Sequence, residues 1–508
     1  MSSNNGLPIE YNKRTPDSTK LYKLIQENIN TFYAERNQEN RPVPAFIQSE
    51  FEAFLKCGIY AHGFVRVHCE HCSHDSVVAF SCKKRGICIS CASRRMSEIA
   101  IHLMDNVIPK VPTRQYVLSL PYPLRLGVAY NRELLAKICN LANKEISKFI
   151  ISKSKVDKNK ALAGTILFLQ RFGSSLNLNP HFHIIALDGV YEKKSTGRYK
   201  FYSISAPTDE DIGLLVKRIA DRINKYLVKI GHLYECEGEY MLENSSDIFA
   251  QSDNEIHLPA MAASIAHTIA FGENSGKPVK RLKDSYSNQY WPSNTDPEFK
   301  GDQCAASGGY SLHANTALKS HQRERLEKLI SYMARPCISE ERIEILENEK
   351  VRIKLKTKWS DNTTHIELTS NEFIEKLVAL IPPSFFHMQR YYGILSSHSK
   401  DRGYIVPQNT NDEALNETQD AENIVSKTKP NPVPKRKYIP WADLLKRVFK
   451  IDILECPNCQ SRMKVVGMYT HGAEMIAILE SLGIKTHPPH ASPPKYRGIF
   501  SDIEYSYS

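Results

Sequence analysis

Two Cys-x2-Cys pairs, Cys69 with Cys72 and Cys88 with Cys91, stand near the N-terminal end of the chain with residues 73–87 between them. This spacing is typical of zinc ribbons, in which each pair turns two thiolates toward one ion and the intervening hairpin brings the pairs together. The sequence therefore predicts one structural Zn²⁺ ion bound by these four cysteines. A closed four-cysteine site has no open coordination position, so its ion should stabilise the fold and take no part in catalysis.

Other potential ligands surround these pairs: Cys57, Cys82, His68, His71 and His74. Packing or surface exposure is the simpler interpretation of these side chains, and a second ion is the alternative. A third pair, Cys456 with Cys459, lies far downstream and lacks two partners in its own segment. Three histidines are close enough in sequence to complete it, although we expect that they do not: His471, His487 and His490.

The charge of the chain favours a polyanionic partner. Its formal net charge is +11, and the stretch 77–97 contains five cations and no acidic residue: Lys83, Lys84, Arg85, Arg94 and Arg95. Such a cluster suits phosphate groups, so we expect these side chains to contact DNA, although many basic proteins merely carry solvated lysines.

The composition, 41% hydrophobic and 24% charged, is that of an ordinary globular protein. The sequence has no apolar run near the roughly 20 residues that span a bilayer, and residues 1–6 lack the apolar core of a secretory signal. We therefore expect a cytoplasmic protein, in which clustered cysteines indicate metal binding more than disulfides.

Two histidines stand two residues apart, His181 and His183, inside an apolar and β-branched stretch. In a strand their rings share one face, while Phe182 points to the other. Two neutral imidazoles aimed at one point form half of a divalent-metal site; the alternative is a pair of histidines on a half-buried strand. A third ligand is expected, and the candidates are Gln170, on the preceding strand, and His313.

A basic helix is predicted over residues 320–334, ended by Pro336. Its apolar stripe is formed by Leu326, Leu329, Ile330 and Met333. At 100° per residue, Tyr332 lies off this stripe and beside Arg325 and Lys328, two further cations that we expect to contact DNA. A phenol with a pKa near 10 is a weak nucleophile at neutral pH, and Lys328, one turn earlier, would favour the phenolate. Together with a metal-bound phosphate, this tyrosine suggests a nuclease that forms a phosphotyrosine.

Several stretches of the chain resemble one family, the rolling-circle HUH transposases with an N-terminal zinc-binding domain, including those of ISCR elements. These stretches are 57–64, 80–91, 170–177 leading into the two histidines, 310–314 and 332–336. The resemblance implies that His181 and His183 bind Mg²⁺ or Mn²⁺ and that Tyr332 is the nucleophile. Many relatives carry a second tyrosine where this chain has Lys328, so the chain resembles the single-tyrosine branch. Tyr391 and Tyr392 are outside candidates for the nucleophile.

The implied function is transposition, in which one strand of a single-stranded or hairpin element end is nicked to give a 5′-phosphotyrosine and a free 3′-hydroxyl. Two alternatives remain open at this point. The first is a plasmid replication initiator or relaxase, which uses the same chemistry. The second is a zinc-dependent DNA-binding protein without catalytic activity.

The predicted fold class is α+β, an HUH domain with an antiparallel sheet and packed helices, preceded by a small zinc-ribbon-like domain. We divide the chain into a helical arm, a zinc-binding DNA-contacting domain, a nuclease domain, a disordered linker and a small basic module: 1–45, 46–112, 113–405, 406–437 and 438–508. Three features complete this prediction: irregular segments at 232–258 and 272–308, and a basic helix at 441–450.

Overall fold

The structure is a computed structural model. It describes residues 15–236, 239–242, 256–279, 290–292, 297–347, 350–356, 363–406, 424–425, 442–443, 446–447, 452 and 454–495. Three predicted features lie wholly or largely outside these described residues: the beginning of the arm at 1–14, the linker at 406–437 and the basic helix at 441–450.

Eleven α-helices occur in the described residues. They are α1 Lys20–Gln38, α2 Ala45–Lys56, α3 Ile89–Asn106, α4 Leu124–Tyr130, α5 Arg132–Lys153, α6 Asp209–Lys229, α7 His257–Ile265, α8 Arg323–Met333, α9 Ser370–Leu380, α10 Arg402–Ile405 and α11 Ala473–Ser481. Helix α6 begins at a capping box, in which the Thr208 hydroxyl accepts a hydrogen bond from the Asp211 backbone and the Asp211 carboxylate accepts one in return. None of these helices is both long and apolar enough to cross a membrane.

The same residues form twenty strands. They are β1 Phe64–His68, β2 Asp75–Ala79, β3 Thr113–Ser119, β4 Ala161–Leu162, β5 Gly164–Phe172, β6 Leu178–Leu187, β7 Gly189–Lys193, β8 Tyr199–Ser203, β9 Leu233–Cys236, β10 Glu239–Leu242, β11 Tyr290–Pro292, β12 Glu298–Phe299, β13 Cys304–Ser307, β14 Tyr310–Leu318, β15 Ile343–Ile345, β16 Lys350–Lys354, β17 His365–Thr369, β18 Gln389–Gly393, β19 Ile424–Val425 and β20 Lys464–Tyr469. Strands β9 to β13 fall entirely within the segments predicted as irregular, so that prediction is wrong at these residues.

A seven-stranded sheet organises the middle of the chain, with the strand order β12-β13-β14-β3-β6-β5-β18. Every neighbouring pair in it is antiparallel. The predicted α+β class with an antiparallel sheet is therefore confirmed, and β5 and β6, consecutive along the chain, pair as an antiparallel hairpin. Strand β6, which carries the two histidines, lies near the centre of the sheet between β3 and β5.

Helices cover both faces of this sheet. Because side chains alternate along β6, Phe182 and Ile184 pack in a core that also contains buried residues of α5 and α6. Ile185 lies on the opposite face, in a second core that contains residues of α3 and α8 such as Leu103 and Ile330. His183 has the same parity as Ile185, so the histidine face of β6 is the one that α8 covers.

The N-terminal module has a small sheet of its own, with the order β2-β1-β20. Its third strand comes from the other end of the chain, since β20 pairs antiparallel with β1 from Phe64, opposite Tyr469, to His68, opposite Lys464. The residues predicted as a separate C-terminal module thus complete a sheet in the zinc-binding region.

Candidate active site and zinc clusters

The structure assembles the cysteines into two clusters, and neither is the predicted set. The inner cluster consists of Cys57, Cys82, Cys88 and Cys91, and the outer cluster of Cys69, Cys72, Cys456 and Cys459. Within each cluster, the sulfur atoms all lie within 4.8 Å of one another. The prediction that Cys69 and Cys72 share one ion with Cys88 and Cys91 is therefore wrong. The downstream pair is completed by Cys69 and Cys72 and not by His471, His487 or His490, which we did not expect to complete it.

The geometry of the hairpin β1–β2 explains this error. Cys69 and Cys72 lie at its tip, between the end of β1 and the start of β2. Cys57 and Cys82 lie at its base, where the Gly58 N–H donates to the carbonyl of Phe80, one residue past β2. Five strand residues at roughly 3.4 Å each separate tip from base by about 17 Å, too far for one ion.

The inner cluster has the dimensions of a tetrahedral zinc site. Its Sγ–Sγ distances are 3.7 Å between Cys57 and Cys91, 3.6 Å between Cys57 and Cys88, and 3.4 Å between Cys82 and Cys91. Zn–S bonds of about 2.3 Å give tetrahedral edges of about 3.8 Å. Because Cys57 follows the last residue of α2 and Cys88 precedes the first residue of α3, a zinc ion here would join the two helices.

The rings of His181 and His183 lie side by side, with centroids 5.0 Å apart. The Nδ1–H of His181 donates to the Asn179 carbonyl at 2.8 Å, which leaves the Nε2 lone pair available. Burial, together with the charges of Arg125 and Arg335, lowers the pKa of His181, against the opposing effect of that hydrogen bond. The ring is therefore neutral at pH 7, as a metal ligand must be.

His183 is buried, and its Nε2 atom has no hydrogen-bond partner in the part of the chain that the structure describes. Its Nδ1 lies 2.8 Å from the side-chain amide of Gln115 on β3. The amide nitrogen of Gln115 is the atom placed against Nδ1; a half-turn of this amide would present its oxygen to an Nδ1–H and leave the Nε2 lone pair free for a metal ion. Burial lowers the pKa of His183 to about 3, with further lowering by repulsion from His181 when that ring is protonated and by the charges of Arg335 and Lys356. A neutral, buried and unpartnered nitrogen of this kind suits a metal ion.

The two candidates for a third ligand stand at different distances from the histidines. Gln170 is buried and directly opposite His181 in the β5–β6 register, and its amide donates to the Met333 carbonyl at 3.4 Å. His313 on β14 is opposite Val117, so one whole strand separates it from His183. At about 4.8 Å per strand, that displacement is about 10 Å. Gln170 is the better placed of the two.

Tyr332, in the last turn of α8, faces the histidines. Its ring centroid is 6.1 Å from that of His183, with the ring planes at 87°, and 40% of the side chain is exposed. The Nζ of Lys356 is 4.0 Å and the guanidinium carbon of Arg335 4.3 Å from the ring centroid. Burial raises the pKa of Tyr332, but hydrogen bonding with Lys356 and the two positive charges outweigh it, so the net shift is downward.

The sequence pointed to a different cation. Lys328 and Arg325 are exposed on α8, whereas Lys356 reaches the tyrosine from just beyond β16. Nothing in the local pattern links residues 332 and 356, so this contact could not be predicted. The outside candidates Tyr391 and Tyr392 lie on the edge strand β18, where Tyr391 is opposite Ile166 and Tyr392 opposite Thr165.

A pocket of about 310 Å³ opens beside this site, between the zinc-binding module and the central sheet. Its lining includes Arg85 and Arg95 from the predicted DNA-contacting cluster, together with Gln170 and Arg335. The remaining cations of the cluster lie elsewhere. Arg94 and Lys84 face the carboxylates of Glu98 and Glu50 at 2.9 Å and 4.0 Å, and Lys83 is exposed.

Two family models match the chain. One, described as "Putative transposase", matches residues 164–402, and the other, the IS91 "Transposase zinc-binding domain", matches residues 25–120. Both models describe transposases, and the two matches are consistent with an IS91/ISCR-like transposase. The first match contains the paired histidines and Tyr332, and the second contains all four cysteines of the inner cluster. A search of curated proteins and one of solved structures gave no match.

Proposed function

We propose that this transposase nicks and rejoins single-stranded DNA through a 5′-phosphotyrosine formed at Tyr332. One observation supports the proposal most strongly. The ring of Tyr332 packs against His183, two cations, Arg335 and Lys356, lie over it, and the residue is 40% exposed to solvent. A tyrosine with only a packing role has no need of a lowered pKa or of access to solvent.

His181 and His183 would hold a divalent ion through their Nε2 atoms, with Gln170 as the third protein ligand. The described residues bring no carboxylate into a three-donor cluster with these histidines, so the ion's charge would remain available to the DNA. Mg²⁺ or Mn²⁺ would supply charge stabilisation at the scissile phosphate, and imidazole ligation favours Mn²⁺ in vitro.

The reaction exchanges one phosphodiester for another. The Tyr332 phenol loses its proton to water, its oxygen bonds to phosphorus, and the bond from phosphorus to the 3′ oxygen breaks. The departing oxygen takes a proton and becomes a 3′-hydroxyl, while the 5′ end stays attached to the protein. Attack by another 3′-hydroxyl reverses the step and rejoins the strand, so no nucleotide cofactor is required.

The pocket beside Gln170 gives the strand a route from the zinc-binding module to the tyrosine. Arg85 and Arg95 line its side nearest the inner cluster, and Arg335 lies both in the pocket and over the Tyr332 ring. Guanidinium groups that line one pocket in this way can bind phosphates and stack on bases. We therefore place the nucleotides next to the scissile phosphate in this pocket.

The proposal is tested by incubating the protein with Mn²⁺ and a labelled single strand from an element end, then measuring an adduct that survives SDS. We expect an adduct with the single strand, none with the corresponding duplex and none in EDTA. A replication initiator would form the same adduct on an origin sequence. A protein that binds the strand tightly with no adduct under any of these conditions would be a non-catalytic DNA-binding protein.

Replacing Lys356 with methionine should slow adduct formation at least about tenfold at neutral pH, because a hydrogen bond to a charged group is worth about 1.5–3 kcal/mol and Lys356 is one of the groups that lower the pKa of Tyr332. Lys356→Arg keeps the charge and should retain most of the rate. Lys328→Met is the matched control, because Lys328 is exposed on the same helix as Tyr332. The rate of adduct formation is measured under single-turnover conditions. An equal loss of rate in the Lys328 and Lys356 variants would contradict a specific role for Lys356.

A further inference from the structure

We propose that the outer cluster binds a second zinc ion, which fastens the C-terminal segment of the chain to its N-terminal module. Two of the ligands, Cys69 and Cys72, lie within the matched zinc-binding domain, whereas Cys456 and Cys459 lie beyond both matched regions. The site is therefore composite, and the proposal does not depend on the chemistry of Tyr332.

The two halves of the outer cluster have the same backbone geometry. In the first, the Cys69 N–H donates to the His74 carbonyl at 2.9 Å and the Ser73 N–H to the Cys69 carbonyl at 2.8 Å. In the second, the Cys456 N–H donates to the Ser461 carbonyl at 2.9 Å and the Gln460 N–H to the Cys456 carbonyl at 2.8 Å. In each pair, the fourth residue after the first cysteine has a positive φ: 56° at Ser73 and 60° at Gln460.

This repeated turn points two thiols of each pair toward a common centre. A non-glycine residue at positive φ is strained, and finding it at the equivalent position of both turns indicates that the turns serve one purpose. Two such turns, each followed by a strand of one antiparallel sheet, form a zinc ribbon. Here the ribbon is built from opposite ends of the chain.

The sulfur atoms of the outer cluster are spaced for an ion and not for disulfides. Cys69 and Cys459 have Sγ atoms 3.4 Å apart, and so do Cys72 and Cys456. A disulfide bond is about 2.05 Å long, whereas tetrahedral zinc sets its sulfur ligands about 3.8 Å apart. The observed spacing is close to the second value.

Contacts around the ion support a role as a fastener. Phe64 of β1 stacks on Tyr469 of β20 with ring centroids 5.5 Å apart. Beyond α11, the chain runs back along α1, where the Ser492 N–H donates to the Gln26 carbonyl and the Lys495 N–H to the Thr31 hydroxyl, both at 2.9 Å. The ion would therefore hold one end of an interface that extends along the N-terminal module.

The two ions should differ in how readily they are lost. Cys72 of the outer cluster is exposed and Cys459 half-buried, whereas three cysteines of the inner cluster are buried. A chelator approaches exposed thiolates more easily, so we infer that the outer ion leaves first. Loss of that ion would free the C-terminal segment while the inner ion still holds α2 and α3 together.

The first experiment measures zinc by elemental analysis of the purified full-length chain. We expect two ions per chain in the wild type and in Cys304→Ser, a matched control whose half-buried thiol belongs to neither cluster. Cys456→Ser combined with Cys459→Ser should leave one. One ion in the wild type, or two in the double variant, would overturn the site. If the double variant does not fold, Co²⁺ titration of the wild type gives the same count from its thiolate absorption bands.

The second experiment tests the fastening. A specific protease site is inserted within residues 408–422, the chain is cut completely, and the two fragments are passed over a gel-filtration column. With zinc, the fragments should elute together; after one equivalent of zinc has been removed by chelator, or in the double variant, they should separate or bind at least about tenfold more weakly. Equal retention in all three cases would show that the ion does not fasten the segment.

Discussion

Tyr332→Phe is expected to eliminate the SDS-resistant protein–DNA adduct, to less than about one part in a thousand of the wild-type rate. The substitution removes only the oxygen that would bond to phosphorus. The ring, which packs against His183 and beneath Arg335 and Lys356, remains. Because 40% of the side chain is exposed, the free energy of unfolding should change by less than about 1 kcal/mol, so a loss of adduct reports on chemistry.

The controls for this variant are the two tyrosines of β18. Tyr391→Phe should leave the adduct intact, since Tyr391 pairs with Ile166 at the far end of β5 from Gln170. Tyr392→Phe should do the same, because burial raises the pKa of Tyr392 and makes it a poorer nucleophile. Binding of the labelled strand should persist in Tyr332→Phe. If Tyr332→Phe formed as much adduct as the wild type, the nucleophile would have to be a residue other than Tyr332.

Local periodicity was sufficient to find the elements that carry this site. The alternation around His181 and His183 predicted a strand with both rings on one face, and β6 extends from Leu178 to Leu187. The apolar stripe of residues 326–333, which leaves out Tyr332, also predicted the helix: the predicted start, residue 320, is three residues before the observed start of α8 at Arg323. Both predictions succeeded for one reason. A strand or helix with one buried face has apolar residues at the period of that face, and this period can be read from the local sequence.

The sequence failed where two distant segments meet. Cys-x2-Cys turns are alike, so spacing alone cannot say which pairs share an ion. The nearest pairs in sequence are held about 17 Å apart by β1 and β2, and the true partners of Cys69 and Cys72 come from beyond residue 450. Cys57 and Cys82, for which packing or surface exposure was the simpler interpretation, belong to the inner cluster because the fold brings them to Cys88 and Cys91.

The surroundings of the tyrosine were missed on similar grounds. Lys356 follows β16, and its approach to Tyr332 depends on how the hairpin β16–β17 packs. Gln115 contacts His183 only because β3 pairs with β6. Alternation along β3 places Gln115 and Val117 on one face but cannot say which strand is the neighbour.

Cys88→Ser should prevent the N-terminal module from folding. Structural zinc contributes about 10–16 kcal/mol in small zinc-binding peptides, as much as the whole stability of a typical domain, about 5–15 kcal/mol. Cys88 is 1% exposed and stands at the start of α3, which packs against α8 below the histidine face. The Arg323 guanidinium of α8 donates to the Met104 carbonyl of α3 at 2.7 Å. Disorder in α3 should therefore reach the helix of Tyr332, and adduct formation should fall with it.

Zinc content, protease resistance of residues 45–106 and adduct yield check this prediction together. Cys304→Ser should match the wild type in all three, because its half-buried thiol lies outside both clusters. Cys456→Ser should lose the outer ion and yet keep α3 protected, since Cys57, Cys82, Cys88 and Cys91 are intact. If instead Cys88→Ser keeps α3 protected and forms adduct normally, the inner ion does not support the helix layer over the active site. The three variants thus separate the ion that positions the tyrosine helix from the ion that joins the chain ends.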